Sequence, residues 1–246
     1  MQIMKEISIR AVKSRIITPK ENLLAVLERC LKRGDLKNGD ILAVASKAVA
    51  VAQGRVVNIK TEKEYKALIE LEADRVIGGK PVTLTLKNGI FTPWAGIDRS
   101  NTKKGTVVLW PKNPKKTAEE INAWLKKKFK LPKVGVVIVD SFCTPLRRGV
   151  IGIALANSGF QGLNDLRGGK DLYGNTLKFT QEAVADSLAT MANYVMGQGN
   201  ERTPFAIIRN APVIFTNKKT NPRDLVMPAE DCLYRPMYKK LRTLKS

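Results

Sequence analysis

The chain has 246 residues, 43% of them hydrophobic, which supports a substantial core and excludes global disorder. Its 43 Lys and Arg against 22 Asp and Glu leave a net charge of +21, a field that attracts polyanions unless it reflects a general lysine bias. The absence of histidine excludes a Ser-His-Asp triad and a histidine-ligated metal, and no apolar run reaches the roughly 18 residues of a membrane span.

Cys30, Cys143 and Cys232 are scattered and odd in number, which fits a reducing cytoplasm and offers neither a disulfide framework nor a zinc pair. The N-terminal segment has no apolar signal core.

In chain order, EISIRAV alternates as a first strand. Thr18-Pro19-Lys20-Glu21 reads as a capping box opening a helix, with Leu23, Leu24, Val26, Leu27 and Leu31 as its apolar face and Gly34 as its stop. Ile41 to Val44 is a buried strand after the Asn38-Gly39 turn. It leads into Ser46 and Lys47, which read either as a phosphate grip or as the start of a small-residue packing helix. The glycines of a Walker A loop are missing.

Glu62 to Arg75 is a predicted helix; Val82 to Leu86 and Val107 to Trp110 are predicted strands. Between these strands AGIDRSN (Ala95 to Asn101) places Asp98, Ser100 and Asn101 within four residues. Thr117-Ala118-Glu119-Glu120 repeats the capping-box signature before a helix ending near Phe129. The dense basic stretch Lys126 to Lys133 reads as a solvated helix end.

Val134 to Val139 is an apolar strand running into Asp140 and Ser141. Ligands of open α/β sheets sit beyond the carboxyl ends of strands, and an Asp there suits Mg²⁺; an Asp capping the next loop is the other reading. Ile151 to Leu155 is a weaker strand. LRGGKDLYGN (Leu166 to Asn175) is a polar loop in which Arg167 and Lys170 face an anion or simply connect elements. Thr180 to Met196 is a long helix stopped by Gly197, with Glu182 and Asp186 spaced i,i+4. Phe205 to Ile208 is a short strand, and the segment after Ala211 reads as a loosely packed arm.

Interleaved helices and strands make the class mixed α/β (α+β). The expected organisation is one domain over 1–210, with a lobe boundary near Asn58–Glu62 or Pro111–Thr117 if it has two, and a basic C-terminal arm over 211–246.

Taken in order, GRVV (Gly54 to Val57), AGIDRSN, DSF (Asp140 to Phe142), PLRRG (Pro145 to Gly149), RGGKDLYG (Arg167 to Gly174), TQEAVADSLA (Thr180 to Ala189), VMG (Val195 to Gly197) and PFAIIR (Pro204 to Arg209) form a pattern. The pattern resembles the coenzyme F-420-0 γ-glutamyl ligases, over about Gly39 to Arg209. The resemblance implies a mixed α/β fold in an intertwined homodimer. It implies a GTP-dependent enzyme that joins L-glutamate to the carboxylate of F-420-0 through an acyl phosphate. The cysteine usage adds a cytoplasmic location, and the lack of a membrane span and of nucleic-acid-binding motifs leaves neither a membrane nor a nucleic-acid partner expected. The resemblance further implies two Mg²⁺ or Mn²⁺ ions, with K⁺ as a further candidate, on Asp98, Asp140, Ser141 and Gln198. Ser46, Lys47, Asn101, Arg167, Gln198, Gly199, Asn200 and Glu201 would stand at the nucleotide, with Arg15 to Thr18 matching a nucleotide loop only loosely. Asp98, Asp140 and Arg147 would carry catalysis.

The chain departs from the family pattern in four places. The usual Ser-Lys of S-K-A-E-G-R is Ala50 and Val51; TPWAGID carries Trp94; DSFCTPLRR lacks a Gly, an Arg and a Trp of the usual loop; and VIGIALANSG, which follows it, lacks the usual polar pair before the apolar strand. These departures leave a folate acceptor, and a non-catalytic nucleotide- or RNA-binding protein, as alternatives.

Overall fold

The computed structural model describes residues 6–218 and 222–238. The first half runs β1 (Ser8–Val12), α1 (Leu23–Cys30), β2 (Ile41–Ala45), α2 (Ser46–Ala52), β3 (Val56–Asn58), α3 (Glu62–Glu72), β4 (Arg75–Gly78), β5 (Leu84–Lys87), β6 (Ile90–Pro93) and β7 (Thr106–Val108). The second half runs α4 (Pro114–Phe129), β8 (Gly135–Phe142), β9 (Ile151–Ser158), β10 (Asn164–Asp165), β11 (Gln181–Glu182), α5 (Val184–Met196), β12 (Phe205–Arg209) and α6 (Arg235–Tyr238).

The mixed α/β expectation holds. A five-stranded sheet in the order β1-β12-β2-β8-β9 forms the centre, and within it only β2 and β8 run parallel. Both faces of β2 are covered, so Ile41 to Val44 is fully buried and reads as a continuous apolar run. One face carries Leu42, Val44, Val136 and Ile138 against Val26 and Leu27 of α1, Val49 of α2, and Ile121 and Leu125 of α4. The opposite face carries Ile41, Ala43, Val137 and Val139 against Ala185, Leu188, Ala189, Ala192 and Met196, a stripe of helical spacing on α5. That stripe is rich in alanine because the helix approaches the sheet closely: a Cβ at Gly152 of β9 would lie 2.3 Å from the Ala189 carbonyl. A smaller cluster of Tyr65, Ile69, Ile97, Val107 and Leu109 ties α3 to the strands beside AGIDRSN.

Several boundaries differ from the sequence reading. α1 starts at Leu23, with Asn22 as its cap, accepting from the backbone N–H of Leu24 (3.0 Å) and Ala25 (3.2 Å). Glu21 does reach back to the Thr18 N–H, but Lys20 at φ 64° breaks helical continuity, so the box closes a separate turn. The helix ends at Cys30, four residues before Gly34. α4 begins a turn earlier than Thr117: Asn113 caps it, Pro114 takes the first position, and Thr117 lies inside. α3 stops at Glu72, and Arg75 opens β4. The strand expected at Val82–Leu86 is β5, paired with β6, which the alternation did not reveal. The strand expected over Val107–Trp110 is β7 (Thr106–Val108), leaving Leu109 and Trp110 beyond its end.

β8 does not end before Asp140; it continues to Phe142, paired with β9. β9 likewise extends to Ser158. α5 starts at Val184 because Gln181 and Glu182 are taken up by pairing with β10. Glu182 and Asp186 are therefore not a helical pair: Glu182 accepts from Asn164 Nδ2 (2.7 Å) and Asp186 from the Ala154 N–H (2.8 Å). The segment after Ala211 runs back over the molecule. Gln161 N–H donates to the Ile214 carbonyl (2.9 Å), Leu225 packs on the α5 side of the core, and the Tyr238 ring lies 5.2 Å from that of Phe91. Among the described residues no helix is long and apolar enough to cross a membrane.

Candidate functional site

The parallel pairing of β2 and β8 places Ala45 opposite Val139. The next residue of each chain segment, Ser46 and Asp140, therefore falls side by side at the carboxyl end of the pair. Ser46 Oγ donates to Asp140 Oδ1 at 2.6 Å. β8 keeps only β9 as a neighbour from Asp140 onward.

Asp98 arrives from a different direction. Its backbone N–H and C=O both pair with Val108 of β7 at 2.9 Å, so the residue is pinned to a strand end. The preceding turn is unusual: Trp94, Ala95 and Gly96 all have positive φ (50°, 55° and 71°). Asp98 Oδ1 accepts from the Ser100 N–H at 2.6 Å, closing an Asx turn. Its Oδ2 lies 2.5 Å from Lys47 Nζ, which also donates to the Ser100 carbonyl (2.8 Å) and hydroxyl (2.9 Å). Consecutive residues of α2 thus hold the two acids, Ser46 binding Asp140 and Lys47 binding Asp98.

Asp140 senses the charge of Asp98. Burial pushes the Asp140 carboxyl above its ordinary range; hydrogen bonds from Ser46 and Trp110 pull it back, and the charge of Asp98 pushes it up further. Two carboxylates and one ammonium leave this centre with one negative charge in excess. Among the described residues no three Asp, Glu or Cys side chains converge tightly enough to hold a metal by themselves. One or two carboxylates with room for phosphate oxygens is nevertheless the donor set that suits Mg²⁺, and the Lys47 ammonium stands where such a cation's charge is called for.

The loop after α5 closes the third side. Asn101 Nδ2 donates to the Gly199 carbonyl at 2.8 Å, joining AGIDRSN to Gln198–Glu201. Gly199 N–H donates to Glu201 Oε2 (2.8 Å), and Gln198 Nε2 to Asn193 Oδ1 (2.9 Å). Asn200 is exposed in the same loop. Pro204 C=O accepts from the Ala45 N–H (2.8 Å) and Arg202 C=O from the Ser14 N–H (2.9 Å), which brings this loop and the N-terminal segment to the end of β2.

Ser141 alternates with Asp140 along β8 and so falls on the α5 side of the sheet, the side from which Gln198 follows. Asp140 falls on the α2 side of the sheet, within electrostatic reach of Asp98, and Ser141 on the opposite side. Two residues stand apart from this centre. Arg147 is exposed in the β8–β9 connection, its backbone N–H bonded to the Thr144 carbonyl (3.3 Å), with no side-chain hydrogen bond or ion pair among the described residues. Arg167 is committed to Asp165, with Nε 2.8 Å from Oδ1, and holds that carboxyl down at about 2.

Sequence reasoning missed Trp110, whose indole Nε1 donates to Asp140 Oδ2 at 2.6 Å. It also missed Tyr65, whose ring centroid lies 3.5 Å from the Arg99 guanidinium, beside Asp98. Neither has a spacing signal, since each meets its partner through the fold.

A family model described as F420-0:Gamma-glutamyl ligase matches residues 11–210. The chain is 37% identical over 227 residues to a coenzyme F420:L-glutamate ligase of Methanocaldococcus jannaschii, covering 85% of this chain and 90% of that one. It is 32% identical over 213 residues to the Methanopyrus kandleri protein of the same name (79% and 83% covered), and 36% over 202 residues to that of Halobacterium salinarum (72% and 78%). On this likeness the chain belongs to the F420-0:gamma-glutamyl ligase family, and it is an amide-forming ligase.

Proposed function

We propose that the chain joins L-glutamate to the carboxylate of F-420-0 at the expense of GTP, at the centre built on Asp98, Asp140, Ser46 and Lys47. The observation that carries this reading is the convergence of the two acids on consecutive residues of α2, at 2.5 and 2.6 Å. The names of the relatives supply the amino acid and the acceptor.

The chemistry runs in two displacements. An acceptor carboxylate oxygen attacks the γ-phosphorus, the β–γ anhydride bond breaks, and GDP leaves. The glutamate amine then attacks the acyl carbon, the C–O bond to phosphate breaks, and phosphate departs while the amine gives up its proton. Such a reaction asks little covalent work of the protein, only placement and charge neutralisation, which suits a site without histidine. Divalent ions on Asp98, Asp140, Ser141 and Gln198 would neutralise phosphate oxygens and polarise the γ-group.

Lys47 stands one helical turn before Val51, on the same face of α2, and is the cation nearest the acids. Were Asp98 to hold a divalent ion instead, the Lys47 ammonium would be free to take a phosphate oxygen. The bond from Asn101 to Gly199 holds the two nucleotide-side loops together. Arg147 and Arg167 reach substrate only if the β8–β9 and β10–β11 connections close or a second protomer completes the site. A homodimer fits the exposed apolar side chains of Leu146, Leu172, Tyr173, Phe179 and Tyr194. Sedimentation equilibrium should give twice the 27.2 kDa chain mass, and a monomer at micromolar concentration would refute the dimer.

The test is mass spectrometry of reactions containing the purified protein, GTP, Mg²⁺ or Mn²⁺, glutamate and either a deazaflavin or a folate acceptor. Addition of glutamyl residues to the deazaflavin, dependent on GTP and metal, is expected. Glutamylation of folate alone would move the acceptor to a pterin, and no glutamylation of either would overturn the reading.

A further inference from the structure

We propose that Trp110 is a positioning residue for the acid pair: its indole N–H fixes Asp140, and its ring sets how closely the turn carrying Asp98 approaches. This rests on the reading that Asp98 and Asp140 hold a divalent cation.

Trp110 is 4% exposed, and its only polar side-chain atom is spent on Asp140 Oδ2 at 2.6 Å. The pyrrole ring of the same indole lies against Gly96: a Cβ there would come within 2.3 Å of Nε1 and 2.4 Å of Cε2. Gly96 is two residues from Asp98. Val108, two residues before Trp110, holds Asp98 by both of its backbone groups. One short segment thus touches both acids, one through the backbone of Val108 and the other through the side chain of Trp110.

That segment is itself anchored. Arg55 Nε donates to the Trp110 carbonyl at 3.1 Å, and the Arg55 carbonyl accepts from the Leu109 N–H at 3.0 Å. Lys87 Nζ sits 5.8 Å from the Trp110 ring centroid, within cation–π range.

The chemical type of the donor matters. Asp140 is gripped by a hydroxyl on Oδ1 and an indole on Oδ2, both neutral. A neutral donor fixes the carboxylate without cancelling its charge, and a carboxylate has about four lone-pair sites, more than these donors take. A lysine or arginine in the place of Trp110 would set a positive charge against the cation, which the neutral indole does not. Trp110 supplies orientation alone, as the outer hydrogen bonds of ligating groups do elsewhere.

The chain has three tryptophans, so its indole N–H protons give a small, resolvable set of nuclear magnetic resonance signals. The Trp110 signal is assigned by its loss in Trp110→Phe, which keeps an aromatic ring and removes the N–H. It should move on titration with Mg²⁺ and in Asp140→Asn, while those of Trp94 and Trp124 stay nearly fixed. By calorimetry, Trp110→Phe should bind Mg²⁺ about ten- to a hundredfold more weakly than the unmodified chain. Ligation by this variant should recover at raised Mg²⁺. If Mg²⁺ binds the unmodified chain while the Trp110 signal stays still and the variant's affinity is unchanged, the inference fails and the metal reading survives. If Mg²⁺ and Mn²⁺ fail to bind the unmodified chain with or without GTP, both fail. Should Trp110→Phe not fold, Trp94→Phe and Trp124→Phe assign the other two signals, and the behaviour of the remaining one in the unmodified chain and in Asp140→Asn decides.

Discussion

Gly96 shows how much of the site depends on one missing side-chain atom. At φ 71° it occupies a region that penalises L-residues, and its hydrogen faces the Trp110 indole where a methyl would be 2.3 Å from Nε1. Gly96→Ala must push the indole off Asp140 or unwind the Trp94–Gly96 turn. Either route disturbs an acid, so the substitution should destabilise the chain by about 1–3 kcal/mol in chemical denaturation and lower ligation at ordinary metal concentration. Wild-type stability together with wild-type turnover would show that the close approach carries no weight. Lys47 makes the complementary point. A lysine beside Ser46 reads in sequence as a phosphate grip, and in the fold its ammonium rests on Asp98 and Ser100.

At the level of elements, α3, β3 and β5 are braced by a three-residue ion cluster. Arg55, just before β3, and Lys87, at the end of β5, both bind the Glu72 carboxylate at the end of α3, at 2.7 and 2.6 Å to Oε2. Arg55 also carries the Trp110 segment, so the cluster supports the site at one remove. Burial pushes the Glu72 carboxyl up, but hydrogen bonds from Lys87 and Arg55, and their charges, outweigh it and leave it below its ordinary 4.5. A carboxyl depressed on folding stabilises the folded state above its unfolded value and loses that contribution as pH falls through the folded one. Glu72→Gln should therefore cost about 1–3 kcal/mol at neutral pH, and the difference from the unmodified chain should shrink as pH falls below 4.5. A difference that stays constant from pH 7 to pH 3 would exclude the ionised carboxylate as its source.

Elements were legible in sequence where one local pattern decided them. β2, β8 and β12 are apolar runs fully buried in the sheet, and α5 carries its alanine stripe in the primary structure. Their ends were less legible because partners distant in sequence decide them. β8 outruns its apolar stretch because β9 continues to pair through Phe142, and α5 starts late because β10 claims Gln181 and Glu182. The capping signature at Thr117 was a true helix signal one turn out of place, since Asn113-Pro114 offers an earlier cap. At the site, Asp98 and Asp140 stood out as polar groups after apolar segments. The ties that join them, Ser46 to Asp140 and Lys47 to Asp98, span 94 and 51 residues and have no local signature.

Across the whole molecule, the architecture converts a basic chain into one with a local acidic centre. The net charge of +21 sets up a field that attracts polyanions. The carboxyl end of β2 and β8, with β7 and the loop after α5 around it, then gathers two carboxylates and a single ammonium. If that gathering is the basis of activity, the two acids act as one unit. Groups that act as a unit are strongly non-additive when removed singly and together. The direct measurement is the ligation rate of Asp98→Asn, Asp140→Asn and the double variant, each checked for folding by thermal denaturation. Each single substitution should cost at least about a hundredfold, and the double variant little more than the worse single one. Single losses that multiply in the double variant, or near-normal turnover in either single variant, would contradict a shared centre.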